Sequence, residues 1–146
     1  MLVRRAVPAD ASALTALTQA SGAYAGEYRA ILDGLAITPQ QLAGEACQLV
    51  EDDHGGIIGY YCLVPHGDDV ELDLMFVADH AQGGGIGALL FRHMLKHAHA
   101  MGARKVRIVA HPPAEAFYLR MGARRIGTHP PSGRVIWTRP ILEIDV

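Results

Sequence analysis

Residues 70–87 read VELDLMFVADHAQGGGIG, and this stretch decides the fold. Its first part alternates in polarity and predicts a β-strand over 70–77. The glycines that follow lead into a predicted helix from about residue 86 to residue 101, whose apolar residues recur at helical spacing. Glycines at a helix N-terminus leave backbone N–H groups uncovered, and these groups and the helix dipole bind anions. We therefore expect a phosphate or pyrophosphate at this turn.

The same glycines allow two other interpretations. A flexible connection without a ligand is one. Gly83, Gly85 and Ala88 also fit the G-x-G-x-x-A form of a dinucleotide-binding turn, which requires a carboxylate at the end of the next strand, about 20 residues on. Residues 107–111 contain no carboxylate, and the preceding strand is acidic rather than apolar. No Gly-Lys-Ser/Thr of a Walker turn occurs either, so nucleotide redox chemistry is disfavoured.

Outside this stretch, short strands and helices alternate without a linker, which predicts one domain over 1–146. Hairpins and one strand–helix–strand crossover predict an α+β (mixed α/β) fold with a mixed, mostly antiparallel sheet of six to seven strands and about four helices. Strands are predicted over 2–5, 47–53, 57–65, 70–77, 105–110, 124–128 and 134–138. Helices are predicted after Asp10, over 24–35, from Thr38, over 86–101 and from Pro112 to Gly122.

The composition and charge of the chain give no support for several classes of partner and location. The net charge is −2, with 13 basic and 15 acidic residues, which favours neither nucleic acid nor a membrane surface as partner. No signal peptide or membrane-spanning run is recognisable, so a cytoplasmic protein is expected. Cys47 and Cys62 fall on predicted strands, where a disulfide could form. Without a secretion signal, two free thiols are the expectation. The sequence allows a homodimer without predicting one.

Two segments resemble the signatures of the GNAT superfamily of acetyl-CoA-dependent N-acetyltransferases. Residues 77–87, VADHAQGGGIG, resemble the family's pyrophosphate motif Q/R-x-x-G-x-G/A. Residues 111–123, HPPAEAFYLRMGA, resemble its second signature, in which a tyrosine precedes a turn and a glycine. The resemblance covers roughly the C-terminal half of the chain. It implies the GNAT fold, with the fourth and fifth strands splayed apart, and transfer of an acetyl group to an amine.

The resemblance makes acetyl-CoA the cosubstrate, with its pantetheine arm between the splayed strands. The Val77 backbone would pair with the arm, and the Met75 N–H would face the thioester oxygen, where a preorganised donor favours acyl transfer. The family often has asparagine where His111 stands, and no Arg or Lys accompanies the glycines, so affinity must rest on backbone donors. The implied cosubstrate-binding residues are Met75, Phe76, Val77, Gln82, Gly83, Gly84, Gly85, Ile86, Gly87, Ala88, His111 and Tyr118.

The resemblance also suggests catalytic residues. The acceptor amine must lose a proton before it attacks, and a carboxylate on the strand can take it. Glu71 matches the general base of some members and is the first choice, with Asp73 second; by strand periodicity both share a face with Met75 and Val77. Both carboxylates could instead be solvated surface residues. Tyr118 is implied to protonate the departing thiolate, and its alternative role is core packing.

The acceptor side is less defined. Tyr24, Glu27, Tyr28 and the turn 129–133 are candidate substrate contacts, with ordinary surface as the alternative. A small-molecule primary amine is the leading expectation. Acetylation of a protein N-terminus or lysine, or a non-catalytic acyl-CoA-binding module, are the alternatives. His93 and His97 stand four residues apart on one helix, but no third ligand is evident, so no metal is expected.

Overall fold

Seven β-strands form one sheet in a computed structural model that describes residues 1–146. The strands are β1 (Leu2–Arg5), β2 (Ala46–Glu51), β3 (Ile57–His66), β4 (Asp69–Val77), β5 (Lys105–Val109), β6 (Arg124–His129) and β7 (Arg139–Asp145). The α-helices are α1 (Ala11–Gln19), α2 (Pro39–Gly44), α3 (Ile86–Ala100) and α4 (Glu115–Arg120). None of the helices combines the length and the apolar character that crossing a membrane requires.

The sheet has the order β1-β2-β3-β4-β5-β7-β6, and only β4 and β5 run parallel. Their pairing is brief, because only Val70 with Val106 and Glu71 with Arg107 stand in register. Beyond Glu71 the two strands separate, and the edge of β4 over 72–77 has no strand beside it. The mixed sheet and the predicted splay are therefore confirmed.

Helices cover both faces of the sheet. One buried cluster joins the sheet to α3 and α4, and includes Leu90, Met94 and Leu142. A second cluster joins the opposite face to α1 and α2, and includes Leu14 and Leu42. The two faces are called the α3 face and the α1 face below.

Strand β4 has a bulge at Asp73. Leu74 pairs with Cys62 and Leu72 pairs with Leu63, and these two partners are consecutive on β3. Asp73 is therefore an extra residue without a partner. Such a residue bends a strand locally and is frequent beside active sites.

The bulge changes which residues share a face. Leu72 packs in the cluster of the α3 face, and Met75 and Val77 pack against the same cluster although Met75 is three positions further on. Strict alternation would place Leu72 on one face and Met75 and Val77 on the other. The prediction that Glu71, Asp73, Met75 and Val77 share one face is wrong, since the extra residue reverses the alternation.

Two other predictions from the N- and C-terminal parts are also wrong. The final strand is Arg139–Asp145 and not 134–138, where only a single bridge joins Ser132 to Val135. Pro140, the second residue of this strand, joins the ladder through its carbonyl, which accepts a hydrogen bond from the Ala110 N–H at 2.9 Å. The helix predicted over 24–35 is instead two short 3₁₀ helices, Gly22–Tyr24 and Gly26–Leu32.

The cysteines are joined, and the prediction of free thiols is wrong. Cys47 on β2 stands directly opposite Cys62 on β3, and a disulfide links them. The Cys47 carbonyl accepts from the Ala6 N–H at 2.9 Å, on the side away from β3. Cys47 and Cys62 therefore form a non-hydrogen-bonded pair of the antiparallel strands. In such a pair the Cα atoms are close, and here they are 4.1 Å apart.

Candidate active site

A cleft of about 670 Å³ opens where β4 and β5 separate. Its walls come from β4, from the glycine turn before α3, from the end of β5 and from α4. On the α1 face it is lined by the segment of the 3₁₀ helices Gly22–Tyr24 and Gly26–Leu32 and the residues just after them, through Tyr24, Ile31 and Leu35. The Gly22 N–H donates to the Asp79 carboxylate at 3.0 Å, which fixes this segment beside the glycine turn.

The glycine turn presents free backbone donors to the cleft. None of the N–H groups from Gly83 to Ala88 donates to a protein acceptor; the first to do so is that of Leu89, to the Gly85 carbonyl at 3.0 Å. Gly83 and Gly85 have φ of +82° and +83°, and no atom lies within 4 Å of the place where a Cβ would stand. The turn is thus an open cradle of donors at the start of a long helix, which suits a phosphate group.

The free edge of β4 offers a second set of backbone groups. The Ala78 N–H donates to the Ile58 carbonyl at 2.9 Å, which marks this pair as hydrogen-bonded across β3 and β4. Because hydrogen-bonded pairs alternate with non-bonded pairs, the N–H and C=O groups of Met75 and Val77 point away from β3, toward the cleft. The Gln82 side-chain amide reaches the Val77 carbonyl at 3.4 Å from that side.

Most residues predicted to bind the cosubstrate lie together. Gly84 does not line the cleft, and the Ile86 side chain is buried in the core, although both contribute free N–H groups to the cradle. The predicted residues that line the cleft are Met75, Phe76, Val77, Gln82, Gly83, Gly85, Gly87, Ala88, His111 and Tyr118.

Tyr118 packs its ring in the core and presents its hydroxyl to the cleft. The ring centroid lies 5.9 Å from that of Phe91 and 5.4 Å from that of Phe117. The hydroxyl makes no hydrogen bond with the protein, and the residue lines the cleft. Burial raises the pKa of Tyr118 above its usual value, and the nearby Tyr24 adds to this rise. The phenol is therefore a proton donor across the physiological pH range.

The two candidate carboxylates differ in position. Asp73, at the bulge, lines the cleft and has no hydrogen-bond or ion-pair partner. Desolvation by the cleft walls raises its pKa even though part of the side chain reaches solvent, and the charges of Glu45 and Glu71 raise it further. Glu71 lies outside the cleft, and its Oε1 is 3.4 Å from Nη1 of Arg107. The structure brings only Asp73 to the cleft.

Of the predicted acceptor contacts, Tyr24 alone lines the cleft. Its ring stacks on His111 with centroids 3.8 Å apart and on Phe76 at 5.4 Å. Tyr28 lies behind, edge-on to His111 at 4.8 Å. Glu27 and the turn 129–133 are not part of the lining.

His111 is held in one tautomer. Its Nε2 lies 2.7 Å from the Ala23 carbonyl, which can only accept, so Nε2 carries the proton. Burial lowers the pKa of His111, and the bond to Ala23 opposes this less strongly. The neutral ring leaves Nδ1 as a buried acceptor without a partner.

Two arginines that the sequence did not single out also line the cleft. Arg120 ends α4, and Arg139 begins β7. Neither guanidinium forms an ion pair with a carboxylate within 4 Å. Arg120 stands two residues after Tyr118 and could have been found from the second signature. Arg139 could not have been found in this way, because the last strand was predicted over 134–138 and therefore ended before Arg139.

The two helical histidines contact a tyrosine. Nδ1 of His93 and Nδ1 of His97 each lie 2.9 Å from the Tyr61 hydroxyl, on the α3 face. Burial lowers the pKa of both histidines. Neither lines the large cleft.

A comparison with protein-family models matches residues 43–122, more than half of the chain, to the acetyltransferase (GNAT) domain. A comparison with curated proteins gave no match.

Solved structures share the whole fold. A GCN5-related N-acetyltransferase from Rhodopseudomonas palustris has a TM-score of 0.83 at 20% identity over 99% of this chain and 95% of that one. The ribosomal-protein-alanine N-acetyltransferase of Brucella melitensis gives 0.78 at 20%, over 100% of both chains. The phosphinothricin acetyltransferase of Sinorhizobium meliloti, in complex with acetyl-CoA, gives 0.71 at 21%, over 99% and 88%. At these identities the likeness is one of fold.

Proposed function

The chain belongs to the GNAT acetyltransferase family, and from that premise we propose that it transfers the acetyl group of acetyl-CoA to a primary amine of a small molecule. One observation carries the proposal: a cradle of free N–H groups, an unpaired strand edge and an unpartnered phenol all face one cleft. Each of the three suits a different part of an acyl-CoA.

Acetyl-CoA fits the residues present. The N–H groups from Gly83 to Ala88 would hold its pyrophosphate, and the Val77 backbone would pair with the amides of its pantetheine arm. When bound, it supplies a thioester carbonyl for the amine to attack. The Met75 N–H, which points to the cleft, would donate to the thioester oxygen as negative charge develops there.

Asp73 is the proposed general base. It accepts a proton from the acceptor ammonium, directly or through water, which frees the nitrogen lone pair. Desolvation and the charges of Glu45 and Glu71 raise its pKa, which makes it a stronger base than an ordinary aspartate. Glu71, the first choice from sequence, is engaged by Arg107 outside the cleft and is not favoured.

Tyr118 is the proposed general acid. As the nitrogen–carbon bond forms and the carbon–sulfur bond breaks, its hydroxyl donates a proton to the departing CoA thiolate. The tyrosinate then recovers a proton from solvent, and the nitrogen, which is positively charged after its attack, releases its second proton to water. A hydroxyl without a partner in the protein is free to serve this role.

The size of the cleft favours a small acceptor. Its volume of about 670 Å³ lies in the range of small-molecule pockets, and the cosubstrate arm would take part of it. The segment that carries Tyr24 covers the α1 face, so a long peptide lacks an open groove there. A panel of small amines, lysine peptides and N-terminal peptides tests this point. Faster turnover of peptides would favour protein acetylation, and no turnover with any amine would favour an acyl-CoA-binding module.

Acetyl-CoA binding is tested at the cradle by Gly85→Val. The added side chain would stand among the phosphate-binding N–H groups, so we expect calorimetry to show about 10–100-fold weaker binding, the loss of one or two charge-assisted hydrogen bonds. NADH should not bind comparably to either protein.

Gly55→Val is the matched control for Gly85→Val. Gly55 has φ of +80°, and it too has no atom within 4 Å of an added Cβ, so the backbone strain is alike. It lies in the turn between β2 and β3, outside the cleft. Equal loss of acetyl-CoA affinity in both variants would contradict a phosphate site at the cradle.

Arg120 is expected to add a cationic contact to the cosubstrate. It lines the cleft on α4 and has no carboxylate partner within 4 Å. Arg120→Ala should raise the KM for acetyl-CoA by about tenfold and leave kcat close to wild type, because a phosphate contact is uniform binding. Arg92→Ala, at an exposed position of α3 outside the cleft, is the control. The same KM in both variants would show that Arg120 contributes nothing.

A further inference from the structure

Arg139 is a cationic residue of the cleft to which the proposed acetyl transfer assigns no role. It lines the cleft, no carboxylate lies within 4 Å of its guanidinium, and its Nε is buried without a hydrogen-bond partner. A guanidinium that is partly withdrawn from water in this way loses hydration that nothing in the protein replaces. An anionic ligand group in the cleft could supply hydrogen-bond acceptors to this guanidinium.

The face of the sheet to which Arg139 points indicates which part of the substrates it can contact. Leu142 and Ile144 of β7 pack in the cluster of the α3 face. By alternation Arg139 points to the opposite, α1 face. The phosphate cradle belongs to α3, on the other side of the sheet. Arg139 and the phosphate cradle therefore lie on opposite faces of the sheet.

The neighbours of Arg139 support the same position. Tyr24 and Arg139 both line the cleft; burial raises the pKa of Tyr24 to about 12, and the positive charge of Arg139 acts on it in the opposite direction. Tyr24 in turn stacks on His111 and covers the acceptor side of the cleft. No acidic side chain competes for the guanidinium there. Asp73, on β4, is the one carboxylate residue that lines the cleft.

We propose that the acceptor is an amine that also carries a carboxylate, an amino acid or a similar small zwitterion, and that Arg139 binds this carboxylate. The inference rests on the proposed acetyl transfer and adds a substrate class to it. The ammonium end would meet Asp73 beside the thioester, and the carboxylate end would meet Arg139. A planar guanidinium binds a carboxylate through two parallel hydrogen bonds, which fixes the direction of the acceptor as well as its charge.

The test compares amino acids with their carboxamides as acceptors, each pair sharing one side chain. The amide has no carboxylate, and its amine is the less basic, so intrinsic reactivity at neutral pH does not favour the acid. Wild type should prefer the acid by about 10–100-fold in kcat/KM. Arg139→Met should lose this preference through a lower rate on the acid alone. Arg139→Lys should retain part of it. Arg92→Met is the control.

Turnover of the carboxamide serves as the folding check for each variant. Equal use of acid and amide by wild type would overturn the inference, and so would an unchanged preference in Arg139→Met. A matched fall on both substrates would make Arg139 structural only. In each of these cases the enzyme still acetylates amines that carry no carboxylate, so the proposed function is not contradicted.

A binding measurement covers the case in which no amine of the panel is acetylated. Trp137, the only tryptophan, lies two residues before Arg139 and edge-on to Tyr28 at 5.0 Å. Its fluorescence should respond to N-acetylated amino acids but not to their amides, and Arg139→Met should abolish the response. No carboxylate-selective response would overturn the inference. Failure of acetyl-CoA to bind would instead overturn the proposed function.

Discussion

Asp73→Asn is expected to lower kcat/KM by about 10²–10⁴-fold, the usual contribution of a general base. Asparagine keeps the size of the side chain but cannot accept the proton of the acceptor ammonium. Acetyl-CoA affinity should stay close to that of wild type, because the cradle and the β4 edge are unchanged. Asp73 makes no hydrogen bond or ion pair with the protein, so the folded state should be little affected.

The pH profile separates this role from a structural one. Activity requires ionised Asp73, so it should fall as pH drops through the pKa of this carboxyl. Because that pKa is raised by desolvation and by the charges of Glu45 and Glu71, the acidic limb should lie above the usual aspartate range. Asp73→Asn should remove the limb, whereas Glu71→Gln should retain it. Loss of the limb in Glu71→Gln with an intact limb in Asp73→Asn would return the role to Glu71.

Tyr118→Phe is expected to lower kcat by about 10²-fold through loss of the general acid. The KM for acetyl-CoA should change little, since the ring and its contacts with Phe91 and Phe117 persist. Thermal stability should also be nearly unchanged, because the deleted hydroxyl has no hydrogen-bond partner in the protein.

An acyl donor with a more acidic thiol provides the control for Tyr118. Such a leaving group needs less protonation and should partly rescue Tyr118→Phe. Because burial raises the pKa of Tyr118, the phenol should contribute no basic limb at ordinary assay pH. Wild-type turnover in Tyr118→Phe would show that the residue serves only in core packing.

The glycine turn and the strand before it were predictable because their signals are local, whereas Tyr118 was found through the resemblance to the family's second signature. Glycines with positive φ before an apolar helix have few structural explanations other than a tight turn or a ligand. The order of strands around one crossover then places β4 beside β5. These elements are enough to locate the cleft.

The bulge at Asp73 was not predictable from the local pattern. The residues VELDL alternate in polarity as an unbroken strand would, and the residues MFV that follow are all apolar. Whether one of them is unpaired depends on the register with β3, which is distant in sequence. The pattern alone therefore put Glu71 and Asp73 on one face, and it could not decide which of them reaches the cleft.

Arg139 was missed for a related reason. Pro140 is a strong signal against a strand, and the apolar run before it favoured 134–138 instead. Only the pairing of β7 with β5 shows that Pro140 joins the sheet through its carbonyl. The disulfide likewise depends on register, since Cys47 and Cys62 face each other across two strands.

The most direct test of acetyl transfer is an initial-rate study of thiol release, with acetyl-CoA and an amino acid acceptor both varied. Direct attack of the amine in a ternary complex predicts intersecting lines in double-reciprocal plots. It also predicts one acetylated amine for each thiol released, and no release without acceptor. Parallel lines would indicate a covalent acetyl-enzyme and contradict direct attack. Thiol release that no amine stimulates would contradict the assignment of an amine acceptor altogether.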